Sequence, residues 1–280
     1  MLLMVCAEVV PVGVLMAAVA YERWQRKRAG ERAPQEDKLL RGPGHTLRVQ
    51  LAGKEDTFNL WFAESIVGGV VCGIMLAFDV PGAWAGWLVG ALVAAVGAVM
   101  GWRTLLAMRP LRLGLMGEQA VAENLQELIA SGYRVFHDVP GDGEWNIDHV
   151  VVGPSGLFAV ETKARTKKPG RNADNDYTVD FDGKRLIFPG GVDTDAAEQA
   201  RRNAKWLANK MSQATGDQVS ARPILAVPGW MVNMKVRSEL KALNPKQVPG
   251  FVLSEPRILG DETIQRIAYQ LEQRCRDVEF

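Results

Sequence analysis

Cysteine is scarce in this chain of 280 residues, which has only Cys6, Cys72 and Cys275. They lie far apart without any CxxC or Cys/His spacing, which excludes a disulfide framework and a structural zinc site and suits a reducing compartment. An excess of one charge is also missing, because 33 Lys and Arg stand against 32 Asp and Glu. A protein that coats DNA through charge alone would be more basic.

Charged residues are absent from one long stretch, residues 83–102. This is the ~20-residue length that the core of a bilayer requires. Residues 66–78 form a second apolar stretch, which reaches spanning length when Glu64 is included, and residues 2–20 form another that contains Glu8 and Pro11. The sequence therefore predicts about three transmembrane helices ahead of a domain of ordinary soluble composition.

The first stretch has an alternative interpretation as a secretory signal, since residues 18–20 resemble a cleavage site. Residues 1–5 lack the positive charge that a signal peptide normally has. Nine Lys and Arg lie between Tyr21 and Phe58, none lie in residues 79–82, and three follow the last stretch. By the positive-inside rule the basic segments are cytoplasmic, and a cleaved signal would export the nine. The sequence favours a multi-pass protein of the inner (cytoplasmic) membrane whose C-terminal domain faces the cytoplasm.

Small residues recur at a spacing of four in the last two apolar stretches, as Gly69xxxGly73, Gly86xxxGly90 and Gly97xxxGly101. This spacing lets helix backbones approach closely, and it is compatible with a homo-oligomer within the lipid bilayer. The alternative is that glycine is simply common in membrane helices.

The soluble part alternates helical and strand patterns. Residues 117–131 have the apolar period of an amphipathic helix, which places Glu118 on its buried face. The other predicted elements are strands at 133–139, 147–152, 157–164, 177–181, 185–188 and 222–227, and helices at 196–211 and 261–275. This order predicts an α/β (α+β) fold with a mixed sheet flanked by helices.

A Gly-Pro-Ser-Gly turn at residues 153–156 joins two of these strands as a hairpin. If the turn closes symmetrically, Asp148 faces Glu161, and the alternation of a strand puts Lys163 on the same side. Opposed carboxylates repel each other, so a cation is expected between them. Mg²⁺ prefers such oxygen ligands and activates water for phosphodiester hydrolysis, which a nearby ammonium can assist. The alternative is that Glu161 and Lys163 form an exposed salt-bridging pair on a strand and that Asp148 is a surface acid near the turn.

Several short motifs occur in a fixed order along this part of the chain. They are Gly117-Glu118, Asn146-Ile147-Asp148-His149-Val150, Gly153-Pro154-Ser155-Gly156, Glu161-Thr162-Lys163-Ala164 and Gln199xxxAsn203. The ordered set resembles the NERD (nuclease-related) domain of the PD-(D/E)xK restriction-endonuclease-like superfamily, over about residues 110–230. The sequence departs from the superfamily label at Ile147, which stands where the label has proline.

The resemblance implies a role for each matching position. Asp148 and Glu161 would be the metal-binding acids and Lys163 the catalytic lysine. Glu118 would complete the site, and Gln199 would lie near the scissile phosphate. With the carbonyl of Thr162 as a further ligand, the expected cofactor is Mg²⁺, with Mn²⁺ as a substitute. The expected substrate is nucleic acid, DNA in preference to RNA, and the alternative is a catalytically silent, membrane-tethered binding or scaffold module.

Basic residues crowd the segment after Lys163 with no acid among them. They are Arg165, Lys167, Lys168 and Arg171. Such a cluster would bind phosphates in a salt-sensitive way without reading bases, and the alternative is a solvated loop. From residue 103 onward the chain has 24 basic and 23 acidic residues, so only this local cluster supports nucleic-acid binding.

The predicted organisation has five parts. Residues 1–20 are a transmembrane helix, 21–59 a basic cytoplasmic loop, and 60–102 a transmembrane helical hairpin. Residues 103–230 are the nuclease-like domain, and 231–280 are a C-terminal extension packed on it.

Overall fold

The computed structural model describes residues 21, 24–25, 38–77, 84–167 and 177–278. The predicted first span, residues 2–20, lies outside them. The helices are α1 (His45–Ala77), α2 (Trp84–Leu125), α3 (Ala196–Thr215), α4 (Val248–Ser254) and α5 (Asp261–Cys275). The strands are β1 (Leu39–Leu40), β2 (Arg134–Pro140), β3 (Asn146–Gly153), β4 (Gly156–Thr162), β5 (Thr178–Phe181), β6 (Leu186–Phe188), β7 (Gly191–Asp193), β8 (Ala221–Ala226), β9 (Met231–Met234), β10 (Lys241–Leu243) and β11 (Arg276–Val278).

Within the described part of the chain, two helices are long and apolar enough to cross a membrane, judged by length and composition alone. α1 begins at His45, within the segment that the sequence assigned to a basic loop, and continues into the predicted second span. α2 runs from Trp84 to Leu125, so the predicted third span and the start of the helix predicted at 117–131 form one helix. A 3₁₀ helix, Gln126–Ser131, continues it and ends at Gly132, whose φ of 84° is in the left-handed region that glycine favours.

Close glycine contacts hold α1 against α2. A Cβ added at Gly97 would lie 2.8 Å from the Trp61 carbonyl oxygen, and one added at Gly90 would lie 2.9 Å from the carbonyl oxygen of Gly68. A Cβ at Gly69 or Gly73 would meet nothing within 4 Å among the described residues. The glycines of the last two motifs therefore serve packing within the chain, whereas Gly69xxxGly73 lies on an open face of α1.

A five-stranded sheet in the order β10-β8-β4-β3-β2 forms the centre of the soluble part. β2, β3 and β4 are antiparallel neighbours, and β8 runs parallel to both β4 and β10. α3 and α5 pack apolar side chains on one face of this sheet, and α2 and α4 cover the other. The mixed α+β architecture predicted from the order of elements is confirmed.

A second sheet, in the order β7-β6-β5-β9, packs against the start of α3. It contains the predicted hairpin at 177–188 and adds a third strand, β7, before the helix. Strands β9 and β10 come from the predicted C-terminal extension, and each pairs with a strand of one of the two sheets. Residues beyond 230 thus contribute strands to the core.

Candidate active site

The β3–β4 hairpin has the predicted register. Val152 pairs with Leu157 and His149 with Val160, which places Asp148 and Glu161 side by side at the end of the hairpin away from the turn. The backbone N–H of Thr162 donates to Oδ2 of Asp148 at 2.7 Å. Both carboxylates are buried, so the turn brings together the two acids that the sequence singled out.

Two amides from α3 hold Glu161. Gln199 donates from Nε2 to Oε1 at 2.6 Å, and Asn203 donates from Nδ2 to Oε2 at 2.8 Å. Residues four apart share a face of a helix, so both amides reach the same carboxylate. The structure thus brings Gln199 to the acids, as the sequence predicts, together with Asn203 of the same Gln199xxxAsn203 motif. Glu161 is fixed in one orientation by two neutral donors.

Glu118 approaches Asp148 and Glu161 from α2, beyond the apolar part of that helix. We call these three acids the carboxylate cluster. Its side chain is buried, and Oε2 has no hydrogen-bond partner among the described residues. Burial, followed by repulsion from Asp148 and Asp138, raises the pKa of Glu118 to about 9, against a smaller opposing effect of the Gly44 backbone N–H. An orphaned carboxyl oxygen in a buried position is costly. A cation would relieve that cost.

The three acids disfavour one another's charge. Burial, and then the charges of Asp148 and Glu118, raise the pKa of Glu161 well above its usual value. Burial also raises the pKa of Asp148 to about 7. Carboxylates placed so close together do not all ionise near neutral pH without a compensating positive charge.

Replacing Glu118 by Gln should therefore stabilise the metal-free protein at mildly alkaline pH. A carboxyl whose pKa is raised from 4.5 to about 9 adds stability below the lower value that is lost as pH rises toward the higher one. Gln has the same shape and no charge, so we expect a gain of about 1–3 kcal/mol. Thermal unfolding in EDTA measures it, with the exposed Glu123→Gln as control. An unchanged or lower Tm for Glu118→Gln alone would contradict a Glu118 pKa raised by burial and by the neighbouring acids.

Lys163 lies just past the end of β4, and its Nζ is 2.7 Å from Oδ2 of Asp193. Its charge opposes the larger effect of burial on the pKa of Asp148 and of Glu161, which places it beside the cluster. Asp193 ends β7 and accepts the Ala196 N–H at the start of α3 with its other oxygen, at 2.9 Å. Lysine and helix together hold the pKa of Asp193 below its usual value in spite of burial. Sequence reasoning missed Asp193, although an acid just before a helix is a capping signal.

Asp138 is a second acid that the sequence did not single out. It is buried in β2 with a φ of 51°, which is unusual for a residue other than glycine. Its carboxylate accepts hydrogen bonds from Arg41, from the N–H and hydroxyl of Thr46 at the start of α1, and from Asn146. Asp138 thus ties α1 to the hairpin and adds negative charge near the cluster. An acid within an alternating strand gives no sequence signal of this role.

The basic cluster after Lys163 is only partly a free surface. The guanidinium of Arg165 donates to the carbonyl oxygens of Gly190 and Gly191 and lies over the Phe188 ring. Lys167 is exposed, with Nζ 5.8 Å from the centre of the Trp230 ring. Lys168 and Arg171 lie outside the described residues. Arg165 is therefore half-buried and held by protein groups, and Lys167 is the exposed member of the cluster among the described residues.

The donor set fits a divalent cation in its chemistry, since hard ions such as Mg²⁺ prefer carboxylate and carbonyl oxygens. As they are placed, no three His, Cys, Asp or Glu side chains of the described part of the chain form a group that could hold a metal ion. Each oxygen of Glu161 accepts one amide hydrogen and keeps a second lone pair to which a cation could bind. Oε2 of Glu118 and Oδ1 of Asp148 have no hydrogen bond among the described residues.

Part of the chain matches a known protein family. Residues 113–228 match the family model described as nuclease-related domain, NERD. The matched segment contains Glu118, Asp148, Glu161, Lys163 and Gln199. No curated protein matches the chain, and no solved structure does.

Proposed function

We propose, from the match of residues 113–228 to the nuclease-related domain family, that the protein is a membrane-anchored, divalent-metal-dependent nuclease of restriction-endonuclease-like fold. It hydrolyses phosphodiester bonds of nucleic acid, DNA in preference to RNA, on the cytoplasmic side. One observation carries the proposal: three buried carboxylates, from α2, β3 and β4, lie within electrostatic reach of one another and of the Lys163 ammonium group.

Asp148, Glu161, Glu118 and the carbonyl of Thr162 would hold Mg²⁺ or Mn²⁺. A bound ion of this kind lowers the pKa of a water molecule and stabilises negative charge on a phosphate. The amides of Gln199 and Asn203 keep Glu161 in one orientation. The Thr162 N–H does the same for Asp148.

Lys163 acts at the edge of the carboxylate cluster, where its side chain is partly exposed and can meet a substrate. Its ammonium donates to a non-bridging phosphate oxygen or to the attacking water, which orients the reacting groups. Asp193 limits the positions that Nζ can adopt. Lys163 is therefore the catalytic cation, and Asp193 is its positioning residue.

The same proposal places α1 and α2 in the cytoplasmic membrane. Both helices are long and apolar enough to span it, and the charge asymmetry of the flanking segments favours a cytoplasmic C-terminal domain. Gly69xxxGly73 faces open space beside α1, so a homo-oligomer would use this motif. Because α2 also carries Glu118, the helix that anchors the protein supplies one of the three acids.

Cleavage by the full chain in lipid nanodiscs tests the function. We expect nicking and degradation of plasmid DNA with Mg²⁺ or Mn²⁺, slower cleavage of an RNA of the same sequence, and none in EDTA. Cleavage that persists in EDTA would contradict metal dependence. Failure with every divalent metal would contradict the nuclease itself.

A catalytically silent, membrane-tethered binding or scaffold module is the second candidate. Two observations favour it. Both oxygens of Glu161 already accept hydrogen bonds, and no three His, Cys, Asp or Glu side chains among the described residues are placed to hold a metal ion. This candidate predicts salt-sensitive DNA binding without cleavage under any divalent metal. Measuring binding and cleavage in one preparation separates the two functions.

A further inference from the structure

A surface cavity of about 460 Å³ opens beside the carboxylate cluster. Its lining consists of Trp145, Asn146, Gln199, Arg202, Asn203 and Trp206. Gln199 and Asn203 are the two amides that donate to Glu161. The cavity and the cluster therefore share one wall, and a ligand in the cavity lies next to the acids. We call it the tryptophan cavity.

The two indole rings of the tryptophan cavity are arranged edge to face, with centres 4.9 Å apart and planes at 79°. Trp206 is fixed, because its Nε1 donates to Asp142 at 2.9 Å and the Arg274 guanidinium lies over its ring. Trp145 is 39% exposed, which is a large solvent-facing area for an indole. A rigid aromatic pair thus leaves one ring open to a ligand.

The polar groups of the cavity suit a nucleotide. Arg202 is exposed, and its one ion pair among the described residues is a 3.8 Å contact with the exposed Glu198, too weak to withhold the guanidinium. It is free to meet a phosphate, and the amide oxygen of Asn146, whose Nδ2 donates to Asp138, can accept a hydrogen bond from a base edge. Aromatic faces beside basic side chains are how proteins bind unpaired bases, because every base has a face that stacks.

We propose that the tryptophan cavity receives an unpaired nucleobase adjacent to the scissile phosphate, stacked on Trp145. The proposal rests on the proposed function and names its substrate class as single-stranded or frayed nucleic acid. A base inside a duplex is stacked on both sides, so it reaches an indole face only after leaving the helix. The purely structural role for Trp145 is to pack the β2–β3 loop against α3, which would support every substrate equally.

Binding to the full chain in nanodiscs, measured by fluorescence anisotropy in EDTA, tests the proposal without cleavage. The probes are a labelled oligo-dT strand, an abasic strand of equal length and a blunt duplex. We expect Trp145→Ala and Trp145→Leu to weaken oligo-dT binding about tenfold and to leave the other two probes within a factor of about two, with Trp145→Phe close to wild type. Leu keeps the apolar bulk if Ala disturbs the loop.

Equal losses for all three probes, or no loss for oligo-dT, would overturn the stacking. A strand carrying 5-iodouracil should crosslink to Trp145 or Trp206 on irradiation, and crosslinks confined to other residues would also overturn it. Cleavage of single-stranded and duplex DNA by wild type is measured in parallel. If the wild type binds oligo-dT through Trp145 but cleaves neither DNA, the proposed nuclease function is contradicted. If it cleaves both DNAs and substitution of Trp145 has no effect, the proposed stacking of a base in the tryptophan cavity is contradicted.

Discussion

Asp148→Asn should lower the rate of DNA cleavage by about a thousandfold. Asn has the shape of Asp and can still accept the Thr162 N–H, so the hairpin is expected to fold unchanged. It lacks the negative charge that a divalent cation requires. Initial rates of plasmid nicking by the full chain in Mg²⁺ measure the loss.

The control for this substitution is Asp182→Asn. Asp182 lies in the β5–β6 turn, where it pairs with Arg185 away from the cluster. We expect this variant to cut like wild type. If Asp148→Asn retained more than about a tenth of the wild-type rate, the acid would not be part of the reacting site.

Lys163→Met should lower the cleavage rate by about a hundredfold or more. Met keeps the length and the apolar stem of the side chain and removes the ammonium that orients the reacting groups. Asp193→Asn should cause a smaller loss, about tenfold, because the ammonium is still present but less restrained. Single-turnover cleavage rates at saturating protein measure both effects apart from binding.

Lys184→Met is the matched control, since Lys184 occupies the turn before β6. A Lys163→Met rate within a factor of about three of wild type would contradict a catalytic role. An Asp193→Asn loss that persists in the Lys163→Met background would show that Asp193 acts independently of the lysine.

The hairpin part of the site could be predicted from sequence because it depends only on the number of residues between the turn and each acid. A Gly-Pro-Ser-Gly turn fixes the hairpin register, and the register alone brings Asp148 beside Glu161. Gln199 could be predicted from the period of a helix whose apolar side faces the sheet. The placement of Glu118 on a buried face followed from the same reasoning on α2.

The remaining contacts depend on tertiary packing that no local pattern encodes. Asp138 joins the surroundings of the cluster through a left-handed backbone conformation and contacts with Arg41 and Thr46, nearly a hundred residues earlier. Asp193 meets Lys163 because an added strand, β7, returns to the start of α3. The guanidinium of Arg165 binds the carbonyl groups of Gly190 and Gly191 where β7 begins. Such long-range pairings require the folded chain.

The continuation of α2 beyond the predicted membrane span was not predicted from sequence, for a related reason. Charged residues after residue 102 mark the end of an apolar span, but they do not end a helix, since Arg and Glu are good helix formers. α2 therefore continues from the predicted membrane span to Leu125 and carries Glu118 with it. Composition shows where a helix leaves the apolar phase, whereas its end depends on a stop signal such as Gly132.

Direct measurement of Mn²⁺ binding tests the carboxylate site most sharply, because it does not depend on the choice of nucleic acid. Titration of the full chain followed by electron paramagnetic resonance gives the number of bound ions and their affinity. We expect specific binding to wild type and an affinity at least about tenfold lower for Glu161→Gln, with Asp182→Asn unchanged. Equal Mn²⁺ affinity in wild type and Glu161→Gln, or no specific binding in wild type, would contradict a metal-dependent active site at Asp148, Glu161 and Glu118.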